Sequence, residues 1–469
     1  MLHVIHMIER RLAKRPGASR IVARMLFGSA LVLLIGLGML YSLRAEAQDL
    51  PNVDGSVIAT RLLDHMDAGE YAQAEAMFSA EMAKAVPAAS LKAVWESLPA
   101  QAGAAQGRGQ ATSTSKDGST SVSVPLRYAK AALVAKLVIG SDGKVAGFLV
   151  QPGEAPAAAA VADDAAFNER EVSVGTGESA LPGTLAMPKS ASQDSGPGVP
   201  AVVLVHGSGP HDRDESIGPN KPFLDIARGL AAQGIAVLRY EKRSKARPQD
   251  LANSGFTVDD ETTNDAVLAV ATLRSLDGID AKRVFVLGHS QGGMMAPRIA
   301  AVSGHVAGLV LLAAPARSLL DIVVEQNRRL AVLDDGKTSD AERDTINQLI
   351  QQVRTIRDPK TGAAAKTLLS QPAGYWRSID TVDAVAEANS VALPMLVLQG
   401  ARDIQVVDAD WQLWRGAFHA EPKVSFKLYE KLNHLGIAGE GEGNLAEYGT
   451  PGHVDAQLIA DVAAWIQAR

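Results

Sequence analysis

The chain of 469 residues contains no cysteine. That excludes disulfide bonds, cysteine metal sites and a thiol nucleophile together, and it is compatible with an oxidising compartment. An excess of positive charge is also missing. Outside residues 1–47, which hold seven Lys/Arg and two Asp/Glu, the chain carries 39 basic and 50 acidic residues, a net charge of −11. Nucleic acids and anionic membrane surfaces are bound by clustered Lys/Arg, so neither is expected as a partner. The sequence has no internal repeat. What it does have is 47% hydrophobic and 21% charged residues, enough apolar material to fold most of the chain. At this length one core is too few, and two or three domains are expected.

The N-terminus reads as export machinery. Arg10, Arg11, Lys14, Arg15, Arg20 and Arg24 precede an apolar run from Met25 to Leu43, and Ala45-Glu46-Ala47 follows as a small-x-small cleavage pattern. The run is longer than a usual signal core and nearly long enough to span a bilayer. Residues 1–47 are therefore either a cleaved signal peptide or an uncleaved membrane anchor with its basic flank in the cytoplasm. Both put the folded part outside the cytoplasm, periplasmic or secreted. Membrane contact is expected only through residues 25–43.

Residues 51–151 read as a small α+β accessory domain. Ile58, Leu62, Leu63 and Met66 recur at helical spacing, as do Ala74, Met77, Met82 and Val86; Pro87 breaks the pattern before a further helix over 90–98. From about Ser121 the period changes to two in SVSVPLRYAK, ALVAKLVIG and KVAGFLVQ, with a hairpin turn at Ser141-Asp142-Gly143. This unit has no phosphate loop, histidine cluster or catalytic motif. Residues 152–168, rich in Pro and Ala, read as a linker.

Residues 169–469 alternate strand and helix. EVSVG and TLAMP suggest an antiparallel pair, and continuous apolar strands at 201–205, 234–240, 284–288, 306–314, 394–400 and 424–430 follow. Such strands between helices predict an α/β fold with a mostly parallel sheet covered on both faces. Residues 317–385 break the rhythm with a charged helical stretch, too long for a loop and read as an inserted cap.

The chemistry begins at VFVLGHSQGGM, residues 284–294. Gly288-His289-Ser290-Gln291-Gly292 is a G-x-S-x-G elbow at a strand end, where ligands of α/β sheets sit. The flanking glycines allow tight backbone packing and leave the serine hydroxyl exposed. A serine hydroxyl needs a base held by a third group, so an acid and then a histidine are required further along, each after a strand. Asp403 follows PMLVLQG, and His434 follows VSFKLYE. An oxyanion hole needs two backbone N–H groups. Gln291 offers one; the loop His206-Gly207-Ser208-Gly209-Pro210 offers the other, with Ser208 favoured and Gly207 as the alternative.

These motifs, HGSGPHDRDE, GHSQGG, LQGARDIQV and KLNH, resemble those of the α/β-hydrolases, in particular bacterial carboxylesterases near the dienelactone-hydrolase and serine-aminopeptidase-like branches. The resemblance covers residues 170–469. It implies Ser290 as nucleophile, His434 as general base and acid, and Asp403 as its orienting partner, with no cofactor and no metal. The loop reads HGSG where many lipases have HGGG, so lipase substrates do not carry over.

Several residues compete for these roles. Asp408 and Asp410 are rivals of Asp403 but lie further along, in or near the next helix; His453, at an apparent helix start where capping explains it, and His419, within a helix-like run, are rivals of His434. His289 reads as packing beside the nucleophile. His211, Asp212 and Asp214 are either metal ligands or, with Arg213, a charged surface loop, and the second reading is preferred. Arg239, Glu241, Lys242 and Arg243 read as structural ion pairs. Tyr375 and Trp376 either line an acyl or alcohol pocket or pack the cap. The expected activity is hydrolysis of a small-molecule carboxylic ester, with short acyl chains. A peptidase or amidase with the same triad is the alternative; an aminopeptidase would draw on Asp334, Asp335 and Asp340 to bind a free amine. A non-catalytic binding protein is disfavoured by the intact triad.

Overall fold

The structure, a computed structural model, describes residues 55–116, 119–128, 132–152, 166–191, 198–253, 255–333 and 336–469. Residues 1–47, expected from sequence to be a signal peptide or anchor, most of the stretch expected to be a linker, and Asp334 and Asp335 lie outside the described residues. Two compact units are present.

The first unit packs helices α1 (Gly55–Asp67), α2 (Tyr71–Ala76), α3 (Ala80–Ala85) and α4 (Ala88–Ala102) with an antiparallel sheet. Ile58, Leu62, Leu63 and Met66 form the buried stripe of α1. The apolar run over residues 74–86, read as continuous helix, is split between α2 and α3. Ser79 accepts a hydrogen bond from Met82 N–H at 3.2 Å and starts α3 anew. Strands β3 (Ser119–Tyr128), β4 (Ala132–Ile139) and β5 (Val145–Pro152) form the expected meander. Two further strands, β1 (Ala105–Arg108) and β2 (Thr112–Lys116), share one edge of β3. Their AQGR and TSTSK sequences carry no apolar alternation because these edge positions are largely exposed.

The second unit is an eight-stranded sheet in the order β13-β12-β11-β10-β8-β9-β7-β6. Strands β6 (Phe167–Val174) and β7 (Leu181–Pro188) are antiparallel, and β7 is antiparallel to β9 (Ala236–Tyr240). From β9 the sheet is parallel through β8 (Val199–Val205), β10 (Ile279–His289), β11 (Leu309–Leu312), β12 (Met395–Gly400) and β13 (Val424–Tyr429). Alternate residues of β8 and β10 serve opposite faces. Val202, Leu204, Phe285 and Leu287 pack against α5 (Pro222–Ala231) and the C-terminal helix 456–467. Val203, Val205, Val284 and Val286 pack against α6 (Asn264–Arg274) and α7 (Gln291–Ser303). Burial on both faces explains why these strands read as unbroken apolar runs.

Between β11 and β12 the chain forms α8 (Leu319–Leu333), α9 (Asp340–Arg357), α10 (Ala373–Asp380) and α11 (Ala384–Val391). Helix α9 starts with a capping box between Ser339 and Glu342. Leu320, Val324, Leu349, Val353, Ile356 and Leu368 give this insertion a small core of its own. The helical stretch runs past residue 385, because α11 continues to Val391 before β12 begins. Helix α12 (Asp408–Phe418) follows β12, and α13 (Ala456–Gln467) closes the chain.

The chain passes from β8 to β9 on one side and then to β10 on the other. The carboxyl ends of β8 and β10 are therefore neighbours at a switch point, where a crevice opens in sheets of this kind.

Candidate active site

Ser290 stands alone between the end of β10 and the start of α7. Its backbone is at φ 51° and ψ −122°, a conformation costing an L-residue about 1–3 kcal/mol. Tight packing holds it there. Ser290 N–H donates to the Leu312 carbonyl at 2.9 Å, and its own carbonyl accepts from Met294 N–H at 3.0 Å. A methyl group on Gly288 would lie 2.2 Å from Gly292 O, and one on Gly292 would lie 2.1 Å from Val205 O. Both glycines are required by backbone crossing over backbone. The strand-to-helix turn thus leaves the serine half-buried at the crevice.

Asp403 and His434 meet at the same end of the sheet. His434 Nδ1 lies 2.8 Å from Asp403 Oδ2. Asp403 Oδ1 accepts from Gln405 N–H at 2.8 Å and Val406 N–H at 3.0 Å, and Gln399 Nε2 donates to Oδ2 at 3.2 Å. A carboxylate so supplied with donors is an acceptor toward His434, so Nδ1 carries the proton and Nε2 is left as the acceptor. Asn433 Oδ1 accepts from Leu435 and Ile437 N–H and shapes the turn that presents the imidazole.

The rival residues are engaged elsewhere. Asp410 is fully buried, and its carboxylate accepts from Ala316 N–H and holds Arg317, which anchors the entry of the inserted helices. Asp408 is exposed at the start of α12, where it accepts from Gln412. His453 is exposed beside Asp225, and His419 caps α12 through Arg415 O. Asp340 is exposed on α9 and paired with Arg343 at 2.9 Å.

Beneath the elbow lies a buried polar cluster. His289 Nδ1 is 2.8 Å from Glu215 Oε2, and its Nε2 is 2.9 Å from the His434 carbonyl. Both partners are acceptors, so both ring nitrogens donate and the ring is an imidazolium. Burial by itself lowers His289, but the charge and hydrogen bond of Glu215 raise it above its usual value. Burial pushes Glu215 up, yet His289, with His211 and His206 nearby, holds it at about 2. His206, packed 5.0 Å from Phe223 and edge-on to Tyr240, is driven by burial to about 3 and is neutral. The carbonyl bond from His289 ties the His434 backbone to the residue beside Ser290.

The same cluster corrects one expectation. Gly207 N–H donates to Glu215 Oε1 at 2.6 Å. That engagement leaves Gly207 N–H facing a carboxylate and not the crevice, against its expected availability; Ser208 N–H is the next amide of the loop. Gln291 N–H, at the start of α7, is among the amides that no helix can satisfy internally. The loop 211–214 is also not a simple surface loop. Asp214 is buried against Arg239 and Lys221, Arg213 pairs with Glu171 and Glu241, and Asp212 Oδ1 accepts from Asp214 and Ser216 N–H. Arg239 also pairs with Glu169, and Arg243 with Asp250 and Asp265, as ion pairs that hold the structure.

Residues 202–438 match the family described as the alpha/beta hydrolase family. The chain belongs to the α/β-hydrolase family. Residues 59–148 match a separate family described as a protein of unknown function, DUF3887. The chain is 37% identical over 346 residues to Esterase EstD of Thermotoga maritima, spanning 73% of this chain and 78% of that protein. Among solved structures it is similar to Est1E from Butyrivibrio proteoclasticus, with 15% identity, a TM-score of 0.41, and coverage of 64% of this chain and 99% of that one. It is also similar to the Pyrococcus furiosus esterase Pf2001, with 16% identity, a TM-score of 0.42, and coverage of 67% and 96%.

Within this α/β-hydrolase unit, three charged residues have a closer bearing on the site than their sequence suggested. Glu215 ends the HGSGPHDRDE motif, whose spacing gives it no role. Lys242 reads from sequence as one of several structural ion-pair residues, yet its Nζ donates to Gly207 O at 2.8 Å. Glu261 stands in no motif that marks it. It lies in a π-helical turn (Asp259–Thr263) and accepts from Tyr375 OH at 2.7 Å and Gln291 Nε2 at 3.3 Å. Tyr375 is therefore a packing residue, its ring 5.0 Å from Phe256 and 5.3 Å from Trp376. Trp376 Nε1 donates to Leu368 O at 2.9 Å within the inserted helices.

Proposed function

We propose that the protein is a carboxylic ester hydrolase working through an acyl-enzyme on Ser290. The observation that carries this reading is the 2.8 Å contact between His434 Nδ1 and Asp403 Oδ2, at the strand ends beside a serine held at φ 51°. Ser290 Oγ attacks the ester carbonyl carbon while His434 Nε2 takes the hydroxyl proton. The new oxyanion is received by Ser208 and Gln291 N–H. Collapse breaks the bond to the leaving oxygen, and His434 returns the proton to the departing alcohol. Water then adds to the acyl-enzyme by the same path and releases the acid.

Esters are favoured over amides by the 37% identity to Esterase EstD. An amine-binding carboxylate pair gains no support from Asp340, exposed and paired with Arg343. Short acyl chains fit an insertion that reaches the elbow: Tyr375 of α10 contacts Glu261, which also contacts Gln291. Rates on p-nitrophenyl acetate and on aminoacyl p-nitroanilides test the reading. Faster anilide cleavage would replace it with a peptidase, and wild-type turnover by Ser290→Ala would end the assignment of the nucleophile. Export through residues 1–47 is proposed alongside, from their basic-apolar-small pattern. N-terminal sequencing of protein recovered from a bacterial periplasm distinguishes a cleaved signal from an anchor, and retention in the cytoplasm would refute both.

A further inference from the structure

A lysine ammonium has three donors and no acceptor, and burying it is costly unless each charge finds a partner. Lys242 is 2% exposed. It leaves the end of β9 and lies beneath the His206–Pro210 loop, with Nζ 2.8 Å from Gly207 O and 3.4 Å from Glu261 Oε1. Gly207 O belongs to the same peptide group as Ser208 N–H. The preceding amide of that loop, Gly207 N–H, is held by Glu215. Buried charged groups therefore grip the loop from both sides of Gly207.

Glu261, 6% exposed, completes the arrangement. One oxygen faces Lys242. The other accepts from the side chain of Gln291, whose backbone N–H is the second oxyanion donor, and from Tyr375 OH. A single buried ion pair thus touches both arms of the oxyanion hole, one through its carbonyl and one through its side chain. A structural pair alone would not need to end on these two residues.

We propose that Lys242, held by Glu261, is a positioning residue for the oxyanion hole. This rests on the ester-hydrolase reading above. An ammonium on the Gly207 carbonyl draws electron density toward that oxygen and leaves the Ser208 N–H a stronger donor, as in any chain of polarised hydrogen bonds. It also fixes the peptide plane before substrate arrives. The effect grows as negative charge develops on the substrate oxygen, so it acts on the tetrahedral species more than on the bound ester.

Lys242→Met keeps the apolar stem and removes the donors; Lys242→Arg keeps a cationic donor. On p-nitrophenyl acetate, Lys242→Met is expected to lower kcat by about 10- to 100-fold, less than outright loss of an oxyanion donor. KM should stay within a factor of about three, because uniform binding is untouched. The inhibition constant of an aryl trifluoromethyl ketone, which forms a tetrahedral oxyanion on the serine, should rise by the same factor as kcat/KM falls. Lys242→Arg should recover part of both losses. An unchanged kcat in Lys242→Met, or a fall in kcat without weaker ketone binding, would overturn the proposal. If Lys242→Met does not yield folded protein, Glu261→Gln takes its place. A parallel loss in kcat/KM and ketone affinity supports the proposal there, and wild-type values of both overturn it. Ser290→Ala run alongside separates the two levels. Full turnover in that variant removes the ester-hydrolase reading itself, whereas an inactive Ser290→Ala with a fast Lys242→Met removes only the role of Lys242.

Discussion

Replacing Glu215 by Gln tests the buried ion pair beneath the elbow, and its signature lies in the pH dependence of stability. The change is close to isosteric. The Gln oxygen can accept from Gly207 N–H, its NH2 group can donate to His289 Nδ1, and a neutral His289 still donates from Nε2 to the His434 carbonyl. Hydrogen-bond count is kept while the charge pair is removed. Glu215 sits at about 2, below its free value of 4.5, despite burial that pushes the other way. By linkage that depression is worth about 3 kcal/mol. A depressed acid contributes stability that is present above pH 4.5 and lost as pH falls toward 2. His289 is raised above 6.5, against burial and through Glu215, so its share is present below pH 6.5 and lost as pH rises through the raised value. The stability gap between wild type and Glu215→Gln should therefore be widest between pH 4.5 and 6.5, at about 3 kcal/mol or roughly 6 °C in Tm. Between pH 5.5 and 3.5 the gap should shrink by about 1 kcal/mol, and it should shrink again on the alkaline side. Four of the five tryptophans, Trp376, Trp411, Trp414 and Trp465, lie in the hydrolase unit, so thermal unfolding followed by tryptophan fluorescence reports mainly on that unit. Parallel curves for the two proteins from pH 3.5 to 8 would refute the ion pair.

Further expectations follow from the site and the sheet. Asp403→Asn should lower kcat by roughly 10³- to 10⁴-fold, since an amide favours the wrong imidazole tautomer, whereas the exposed Asp408→Asn should stay near wild type; steady-state kinetics that reverse this order would move the acid. Gly292→Ala should cost about 3 kcal/mol or more, because its methyl group meets the Val205 carbonyl at 2.1 Å. Gly416→Ala, exposed in the last turn of α12 with nothing within 4 Å, should add about 0.5 kcal/mol; urea unfolding of both variants checks the contrast. Acetyl and butyryl p-nitrophenyl esters should be cleaved faster than the dodecanoyl ester, and a preference for the dodecanoyl chain would remove the narrowing role of the inserted helices.

Much of the α/β sheet was legible because its strands are buried on both faces and so read as continuous apolar runs. The elbow was legible because Gly288 and Gly292 mark backbone crossings that no other residue permits. Strands β1 and β2 were not, since exposed polar edges carry no hydrophobic period. The split between α2 and α3 was hidden as well, because Ser79 supplies a cap inside an otherwise helical pattern. Around the site, sequence displayed charge but not burial. Glu215 and Glu261 look like ordinary solvated residues and Lys242 like one of several ion-pair residues, and only the tertiary structure brings them beneath one loop. The engagement of Gly207 N–H was hidden for the same reason: its acceptor, Glu215, lies eight residues away and is brought back by a turn that spacing does not reveal.

In the proposed mechanism Ser290 forms the covalent acyl-enzyme. Wild-type protein mixed with p-nitrophenyl butyrate, quenched in acid within the first turnover and analysed by intact-mass and peptide mass spectrometry, measures it directly. The expected result is a mass increase of one butyryl group, located on the peptide at Ser290 and missing from Ser290→Ala. Turnover with no acylated protein, or acylation on another residue, would contradict it.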